Sequence, residues 1–357
     1  YCNFRFDGAI LSSLDLRKGS STPASVDRHL GTSRTTKQAN MSSAPKKTPY
    51  LQIIEGAPCP PLLKPEIYRE ALRFKPNAND VIIVTHPKSG THWVTQILLL
   101  VLSRGRPPRD LADQIQQAPF IEMNGVPKFD QSPRLLRTHL QFAELQYNRN
   151  AKYIYVARNP YDTCVSFYYH VKGSPYFRFS DGSFEDFVDA FIDGNVGHGH
   201  HLDHVISGYK RRHEPNILFL TYETLKADTA RTVLELAKFL GEPYSSLFET
   251  DKGLLDEVMF KSSTDYMRKT YKANHEEVRN IYNLPSPSPE VVEEVKKLGC
   301  IPGFAPVRRG LTGDWRSHFS AEQLKRMQAW VDTKTRGSDV MQLWTHELAG
   351  TRLTHTH

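Results

Sequence analysis

The sequence predicts an α/β fold, a single domain with a central parallel sheet flanked by helices. Two observations carry the prediction. Short apolar runs rich in β-branched and aromatic residues alternate with segments of helical length: Val81 to Thr85 before Trp93 to Leu102, Tyr153 to Ala157 before Tyr161 to Val171, and Ile217 to Thr221 before Thr229 to Leu240. Alternation of this kind places crossover helices on both faces of parallel strands, which therefore read as unbroken apolar runs. Basic clusters near residues 88, 158 and 309 also suit one shared anionic ligand. One domain over residues 49–345 accommodates that better than the two domains that 357 residues suggest at roughly 150 each.

In chain order, the first forty residues are rich in Ser, Thr, Gly and basic residues and lack periodicity. They hold no apolar stretch of the roughly 7 to 15 residues that a secretory signal needs, nor the about 20 of a spanning helix. Residues 1–48 are expected to be a disordered or non-native extension, with translation starting at Met41, just before Ser42-Ser43-Ala44-Pro45. Residues 346–357 are expected to be a flexible tail.

The first core element, Val81 to Val84, feeds Thr85-His86-Pro87-Lys88-Ser89-Gly90-Thr91-His92-Trp93 and then an apolar helix. A strand, a tight basic loop and a helix start bring backbone N–H groups, the positive end of a helix dipole, a lysine and hydroxyls into one volume, which suits a phosphate or phosphosulfate. The expectation is a P-loop-like strand-loop-helix nucleotide site. It departs from the common phosphate loop, Gly-x-x-x-x-Gly-Lys-Ser/Thr, because Lys88 precedes Gly90 and no glycine stands five residues earlier. A standard ATPase reading loses ground accordingly.

The second strand pattern, Tyr153 to Ala157, runs into Arg158-Asn159-Pro160-Tyr161-Asp162-Thr163-Cys164-Val165-Ser166. Arg158 ends a strand and Ser166 lies two helical turns on, so both can face one crevice at the carboxyl ends of the strands. A third cluster, Arg308-Arg309-Gly310-Leu311-Thr312-Gly313-Asp314-Trp315-Arg316, combines guanidinium forks with glycines that admit close backbone approach. Three basic clusters imply two phosphate positions. Ser183 with Asp186 and Ser320 with Gln323 have capping-box spacing, while Ser288, Pro289 and Gly299 bracket a further helix.

On these motifs the chain resembles the cytosolic sulfotransferases, which move a sulfuryl group from 3′-phosphoadenosine 5′-phosphosulfate to a hydroxyl or amine. The resemblance runs from about Pro49 to about Thr335. It implies that Lys88, Ser89, Gly90, Thr91, His92 and Trp93 hold the 5′-phosphosulfate, with Trp93 stacking on adenine. Arg158, Ser166, Arg308, Arg309 and Gly310 would hold the 3′-phosphate. Tyr222 matches a tyrosine that contacts adenine, Ser262 stands where threonine is usual, and Thr264 replaces an expected phenylalanine. Adenosine 3′,5′-bisphosphate would be the product, with no metal.

Sulfuryl transfer needs a base to take the acceptor's proton, and His139 ends the short apolar strand in Leu135-Leu136-Arg137-Thr138-His139-Leu140. The resemblance also places its catalytic histidine in a Lys-Thr-His segment, so Arg137 stands where that lysine is usual. Lys88 and Arg137 join His139 as the expected catalytic residues, since charge building on the oxygen between sulfur and phosphorus is countered by a cation there.

Composition bounds the alternatives. With 46 Lys and Arg against 39 Asp and Glu, the net charge of +7 favours an anionic ligand. Basic residues are nevertheless spread along the chain with no dense basic helix, zinc-finger spacing or RNA-binding aromatic motif, so no nucleic-acid partner is expected. Four separated cysteines without a Cys-x-x-Cys pair fit a reducing, cytoplasmic setting, and no membrane partner is expected. His198, His200, His201 and His204 include an i, i+4 pair, but no acidic third ligand stands at a known offset, so no metal site is assigned. In the family this stretch reads Gly-Ser-Trp-x-x-His-Val, which Gly199, His204 and Val205 match, with His201 in place of the tryptophan.

The partner is a small hydroxyl or amine acceptor, and a wall of Phe120, Phe129, Phe142, Tyr169 and Phe177 would favour a flat phenol. The usual dimer segment, Lys-x-x-x-Thr-Val-x-x-x-Glu, is not intact at Arg316 to Lys325, leaving monomer or homodimer open. The rival readings are a P-loop-like nucleotide kinase and a non-catalytic nucleotide- or polyanion-binding protein.

Overall fold

The computed structural model describes residues 46–127, 132–282, 284, 286, 288–290, 293 and 308–349. Of the extension expected over 1–48, only the last three residues are among them, and the Lys46 ammonium pairs with Asp189. A short antiparallel hairpin, β1 (Gln52–Ile54) and β2 (Ala57–Cys59), leads to α1 (Pro65–Arg73). Then comes the repeating strand and helix pattern: β3 (Val81–Thr85), α2 (Thr91–Leu102), α3 (Leu111–Gln117), α4 (Ile121–Asn124), β4 (Leu135–Thr138), β5 (Lys152–Ala157) and α5 (Pro160–Lys172). After α6 (Phe184–Ile192) and α7 (His201–Tyr209), β6 (Ile217–Thr221) enters α8 (Tyr222–Ala227) and α9 (Thr229–Leu240). The chain continues through α10 (Glu242–Thr250), α11 (Lys252–Lys261), α12 (Thr264–Thr270), α13 (His275–Tyr282), α14 (Ala321–Lys334) and α15 (Thr345–Leu348). Among the helix signals read from the sequence, the capping boxes at Ser183 and Ser320 are formed. Pro289, Glu290 and Glu293 are helical, and Gly299 lies outside the described residues.

Four strands form one parallel sheet in the order β4-β3-β5-β6. Alternation along each strand splits the core in two. Ile82, Val84, Tyr153 and Tyr155 point to one face, where α5, α6, α7 and α14 pack. Val81, Ile83, Ile154 and Val156 point to the other, where α2 meets Val233 and Leu236 of α9 and Leu254 and Val258 of α11. All five residues of β3 are buried because both faces are covered, which is why the run carries no polar alternation. A third small cluster ties α3 (Leu111, Ile115) to Met267, Tyr271, Val278 and Tyr282.

The strand order places the site. From β3 the chain crosses to β4 on one side and to β5 on the other, so the loop after β3 lies at a topological switch point, where parallel sheets open a crevice beyond their carboxyl ends.

Candidate active site

Each of the four strands delivers one singled-out residue at its carboxyl end: Lys88 just beyond β3, His139 after β4, Arg158 after β5 and Tyr222 after β6. The loop after β3 is tightly wound. Lys88 has φ +69, a left-handed conformation that is costly for a side chain with a Cβ, and Gly90 follows at φ +101 as the N-cap of α2. Ser89 N–H donates to the His86 carbonyl (3.2 Å), and Arg158 Nη1 donates to the Lys88 carbonyl (3.0 Å), holding the loop in place. Burial, with the charges of Arg158 and Arg308, lowers the Lys88 pKa to about 8.

Arg158 joins all three motifs. Its Nη2 donates to the Leu311 carbonyl (2.9 Å), and its guanidinium stacks 4.2 Å from the Tyr222 ring centroid. Tyr222 in turn meets Trp93 edge-on at 5.4 Å and packs so closely on Gly90 that a Cβ there would lie 2.8 Å from its ring. Thr264 packs as closely on Gly310. A pocket beside them is lined by Trp93, Lys226, Thr229, Met259, Ser262, Ser263, Thr264 and Asp265. Ser166, two turns into α5, shares a helical face with Tyr169, whose ring lies 4.5 Å under the Arg308 guanidinium. Arg308 and Arg309 both pair with the Asp314 carboxylate.

Around His139 the chemistry differs. Its Nδ1 lies 2.7 Å from the Thr85 carbonyl oxygen, which can only accept, so Nδ1 carries the proton and Nε2 keeps its lone pair. The His139 backbone is held on both sides: its N–H donates to Glu122 Oε1 (2.7 Å) and its carbonyl accepts from His204 Nε2 (3.2 Å). Burial, reinforced by Arg137 and Lys88 and opposed by the Thr85 bond, lowers the His139 pKa to about 4. Burial pushes Glu122 up to about 7. Arg137 is fully buried, its Nη1 3.3 Å from His92 Nδ1 and its guanidinium 4.2 Å from the Phe120 ring centroid. Among the described residues its Nε and Nη2 have no hydrogen-bond partner.

Lys88, Trp93, Arg158 and Tyr222 are therefore brought into direct contact, and His139 lies against Phe120, with corrections on the expected acceptor wall. Phe120 lies 4.7 Å from the His139 ring and Phe177 lies behind His170 at 6.3 Å. Phe142 instead stacks on Tyr155 within the core, and Tyr169, bonded through its hydroxyl to His318 Nε2 (3.1 Å), belongs to the Arg308 side. Phe129 lies outside the described residues. His201 is buried against His86 at 4.9 Å, and His204 Nδ1 bonds the Tyr155 hydroxyl (2.6 Å). Among the described residues no group of three or more His, Cys, Asp or Glu is placed to hold a metal. The sequence reading passed over Glu122 and Thr85 as supports of His139. Thr85 stood inside the quoted loop, whereas Glu122 gave no local signal.

Comparison with known proteins accords with this arrangement. A family model described as "Sulfotransferase domain" matches residues 78–339. The chain is 34% identical to human Sulfotransferase 1E1 over 262 residues, covering 69% of this chain and 80% of that protein. It is 32% identical to dog Sulfotransferase 1B1 over 279 residues, covering 74% and 86%. Its fold resembles mouse sulfotransferase SULT7A1 complexed with PAP, with TM-score 0.61 at 24% identity over 83% of this chain and 98% of that one. It also resembles retinol dehydratase in complex with androsterone and inactive cofactor PAP, with TM-score 0.60 at 18% identity over 76% and 84%. On the family match and the curated relatives together, the chain belongs to the sulfotransferase family and is an enzyme of sulfuryl transfer.

Proposed function

We propose that this sulfotransferase draws its sulfuryl group from 3′-phosphoadenosine 5′-phosphosulfate and passes it to the hydroxyl, or amine, of a small phenolic acceptor, releasing adenosine 3′,5′-bisphosphate. The supporting observation is the convergence of three separated basic motifs on one crevice, with the Arg158 fork bridging the Lys88 and Leu311 carbonyls. Buried polar atoms with no partner among the described residues fit such a donor: Ser89 Oγ, Trp93 Nε1, Arg137 Nε and Nη2, Arg158 Nε and Arg308 Nε. In this reading Lys88 to Trp93 hold the phosphosulfate, Arg158, Ser166, Arg308, Arg309 and Gly310 the 3′-phosphate, and Trp93, Tyr222 and Ser262 the adenine.

The residues then divide the chemistry. As the acceptor oxygen bonds to sulfur and the sulfur–oxygen bond to phosphate breaks, the acceptor proton passes to His139 Nε2, and the electron pair leaves on the phosphate oxygen. The Lys88 ammonium and the Arg137 guanidinium supply the countercharge, in place of a metal ion. A His139 pKa near 4 is low for a base working at neutral pH. The negative charge of the donor beside it raises that value, so base strength arrives with the substrate. Phe120, against His139, offers the flat face for a phenol.

We also assign the catalytic domain to residues 49–345 and place the enzyme in the cytoplasm as a monomer or homodimer. No described helix is long and apolar enough to cross a membrane. The test incubates the protein in EDTA with labelled donor and a panel of phenols, steroids and amines. The best rate is expected on a flat phenol. A best rate on an aliphatic or steroid alcohol overturns the acceptor assignment, and failure to bind adenosine 3′,5′-bisphosphate overturns the donor.

A further inference from the structure

We propose that Asp314 is a built-in counter-charge that sets how tightly the chain holds a 3′-phosphorylated nucleotide and how far it prefers one over a nucleotide lacking that phosphate. The inference rests on the reading of Arg158, Arg308 and Arg309 as the 3′-phosphate anchor. Two of those three arginines are engaged by one carboxylate: Arg308 Nη2 bonds Asp314 Oδ2, and Arg309 Nη1 bonds Oδ1 at 2.7 Å. The carboxylate is shielded, at 6% side-chain exposure, while the two arginines are at 30% and 52%. A phosphate arriving at the exposed side of the forks must share them with a carboxylate already seated behind. Charge-assisted bonds of this kind are the strong ones, so the sharing lowers affinity.

The turn that carries Asp314 does not depend on this pairing. Gly313 N–H and Trp315 N–H both donate to the buried Asp162 carboxylate, at 2.7 and 3.1 Å. Gly313 takes a left-handed φ of +76, and Trp315 is buried against Tyr161 at 5.1 Å. The Asp314 carbonyl accepts from His318 Nδ1 at 2.9 Å. The backbone is thus fixed from both sides, and the Asp314 side chain is left to act on the arginines alone.

Charge matching explains why such a group belongs there. Three guanidinium charges less one carboxylate leave a net of two, and a phosphate monoester carries about −1.5 to −2 at neutral pH. Removing the carboxylate leaves a surplus positive charge facing the phosphate. For a phosphate charge of about −1.5 to −2 roughly 6 Å away, affinity rises about sixfold to tenfold at the dielectric of water, about 80, and screening by salt brings the lower end to about threefold. The arginines pay a smaller penalty for lost orientation, because Arg308 also stacks on Tyr169 at 4.5 Å.

The experiment titrates adenosine 3′,5′-bisphosphate and adenosine 5′-phosphate calorimetrically into the wild type, Asp314→Asn and Asp314→Ala, with thermal unfolding to verify folding of each variant. The expected result is a Kd for the bisphosphate lowered about threefold to tenfold in both variants and an unmoved Kd for the 5′-phosphate. An unchanged or weakened bisphosphate affinity, or an equal shift for both nucleotides, overturns the counter-charge. A wild type that does not prefer the bisphosphate overturns the anchor reading itself, and this inference with it.

Discussion

The two halves of the crevice are built on opposite electrostatic plans. On the Arg308 side, charges are paired and partly open to solvent: Arg308 and Arg309, at 30% and 52% side-chain exposure, share Asp314, and the hydroxyl of Tyr169 is bonded to His318. On the His139 side, polar groups are buried and several go unanswered among the described residues, with Arg137 fully enclosed and His86 packed ring to ring on His201 with no partner for its Nε2. A binding surface tolerates water because it must release its ligand. A transfer site gains from excluding it, since fixed charges act more strongly in a dry environment. The contrast predicts that the buried half fails first under acid, dominates turnover, and gains stability when its enclosed cation is removed.

The largest effect expected is on stability below neutral pH. Burial holds His86 well below the usual histidine range and His201 and His204 at about 3, so all three stay neutral in the fold. Each has an unfolded pKa near 6.5, so between 6.5 and the folded value the unfolded chain binds more protons. Stability then falls by about 1.4 kcal/mol per pH unit for each imidazole. Glu122 and Glu223, raised to about 7 by burial, oppose this between pH 7 and about 4.5, because there the folded chain binds the extra protons. His92, His139, His170 and His198 are lowered by burial in the same way, so the imidazoles outweigh the two carboxyls: unfolding free energy should fall already between pH 6.5 and 4.5 and more steeply below, where His86, His201 and His204 alone contribute up to about 4 kcal/mol per unit. Replacing His201 with Phe should remove about 1.4 kcal/mol per pH unit from that slope, and an unaltered slope would show that the imidazole is not buried neutral.

Next in size are the catalytic substitutions. Lys88→Ala and His139→Ala should each lower kcat about a hundredfold or more, the usual range for losing a positioned cation or base. Near-normal turnover in either variant removes that residue from its assigned role.

Legibility in the sequence followed the same divide. The Arg308 side was readable because each of its parts is local: Lys88 to Trp93 follow one strand, Arg158 ends another, and Arg308 to Gly310 are contiguous. Parallel pairing of β3 with β5 then carries them to one end of the sheet. The His139 side was readable at His139, Arg137 and Phe120 but not at its supports. Its supports come from Glu122 in a four-residue helix and from His204, 65 positions away, and no periodicity marks either. Tyr169 was assigned to the acceptor wall for being aromatic, although its spacing of three from Ser166 already placed it on the nucleotide face. Phe142 failed differently, since its stacking on Tyr155 depends on how the chain turns after β4.

Arg137 separates stability from activity within the buried half. Replacing it with Met removes a buried cation that forms no ion pair within 4 Å among the described residues, so the folded chain should be about 1 kcal/mol or more stabler, while kcat falls roughly tenfold to a hundredfold. Chemical denaturation and steady-state kinetics on one preparation test both. A destabilised variant with normal turnover would make Arg137 a structural residue.

The smallest expected effect lies on the other side, at Gly90. An alanine there must hold φ near +101 and place its Cβ 2.8 Å from Tyr222, at a cost of about 1 to 3 kcal/mol in stability unless the ring moves. Tyr222 cannot move freely, since its face lies against Arg158 at 4.2 Å and its edge against Trp93 at 5.4 Å. Strain at Gly90 is thus passed first to the groups that hold the donor, and its route to His139 runs only through Thr91, whose Oγ1 lies 2.7 Å from that of Thr85, while Glu122 and His204 hold the His139 backbone independently. Gly90→Ala should raise the donor KM about threefold to tenfold and leave kcat at saturating donor within about twofold, since an interaction made equally in ground and transition states affects binding alone. A fall in kcat with KM unmoved would show that the two halves are mechanically coupled through the loop, and the contrast between them would then hold for charge but not for motion.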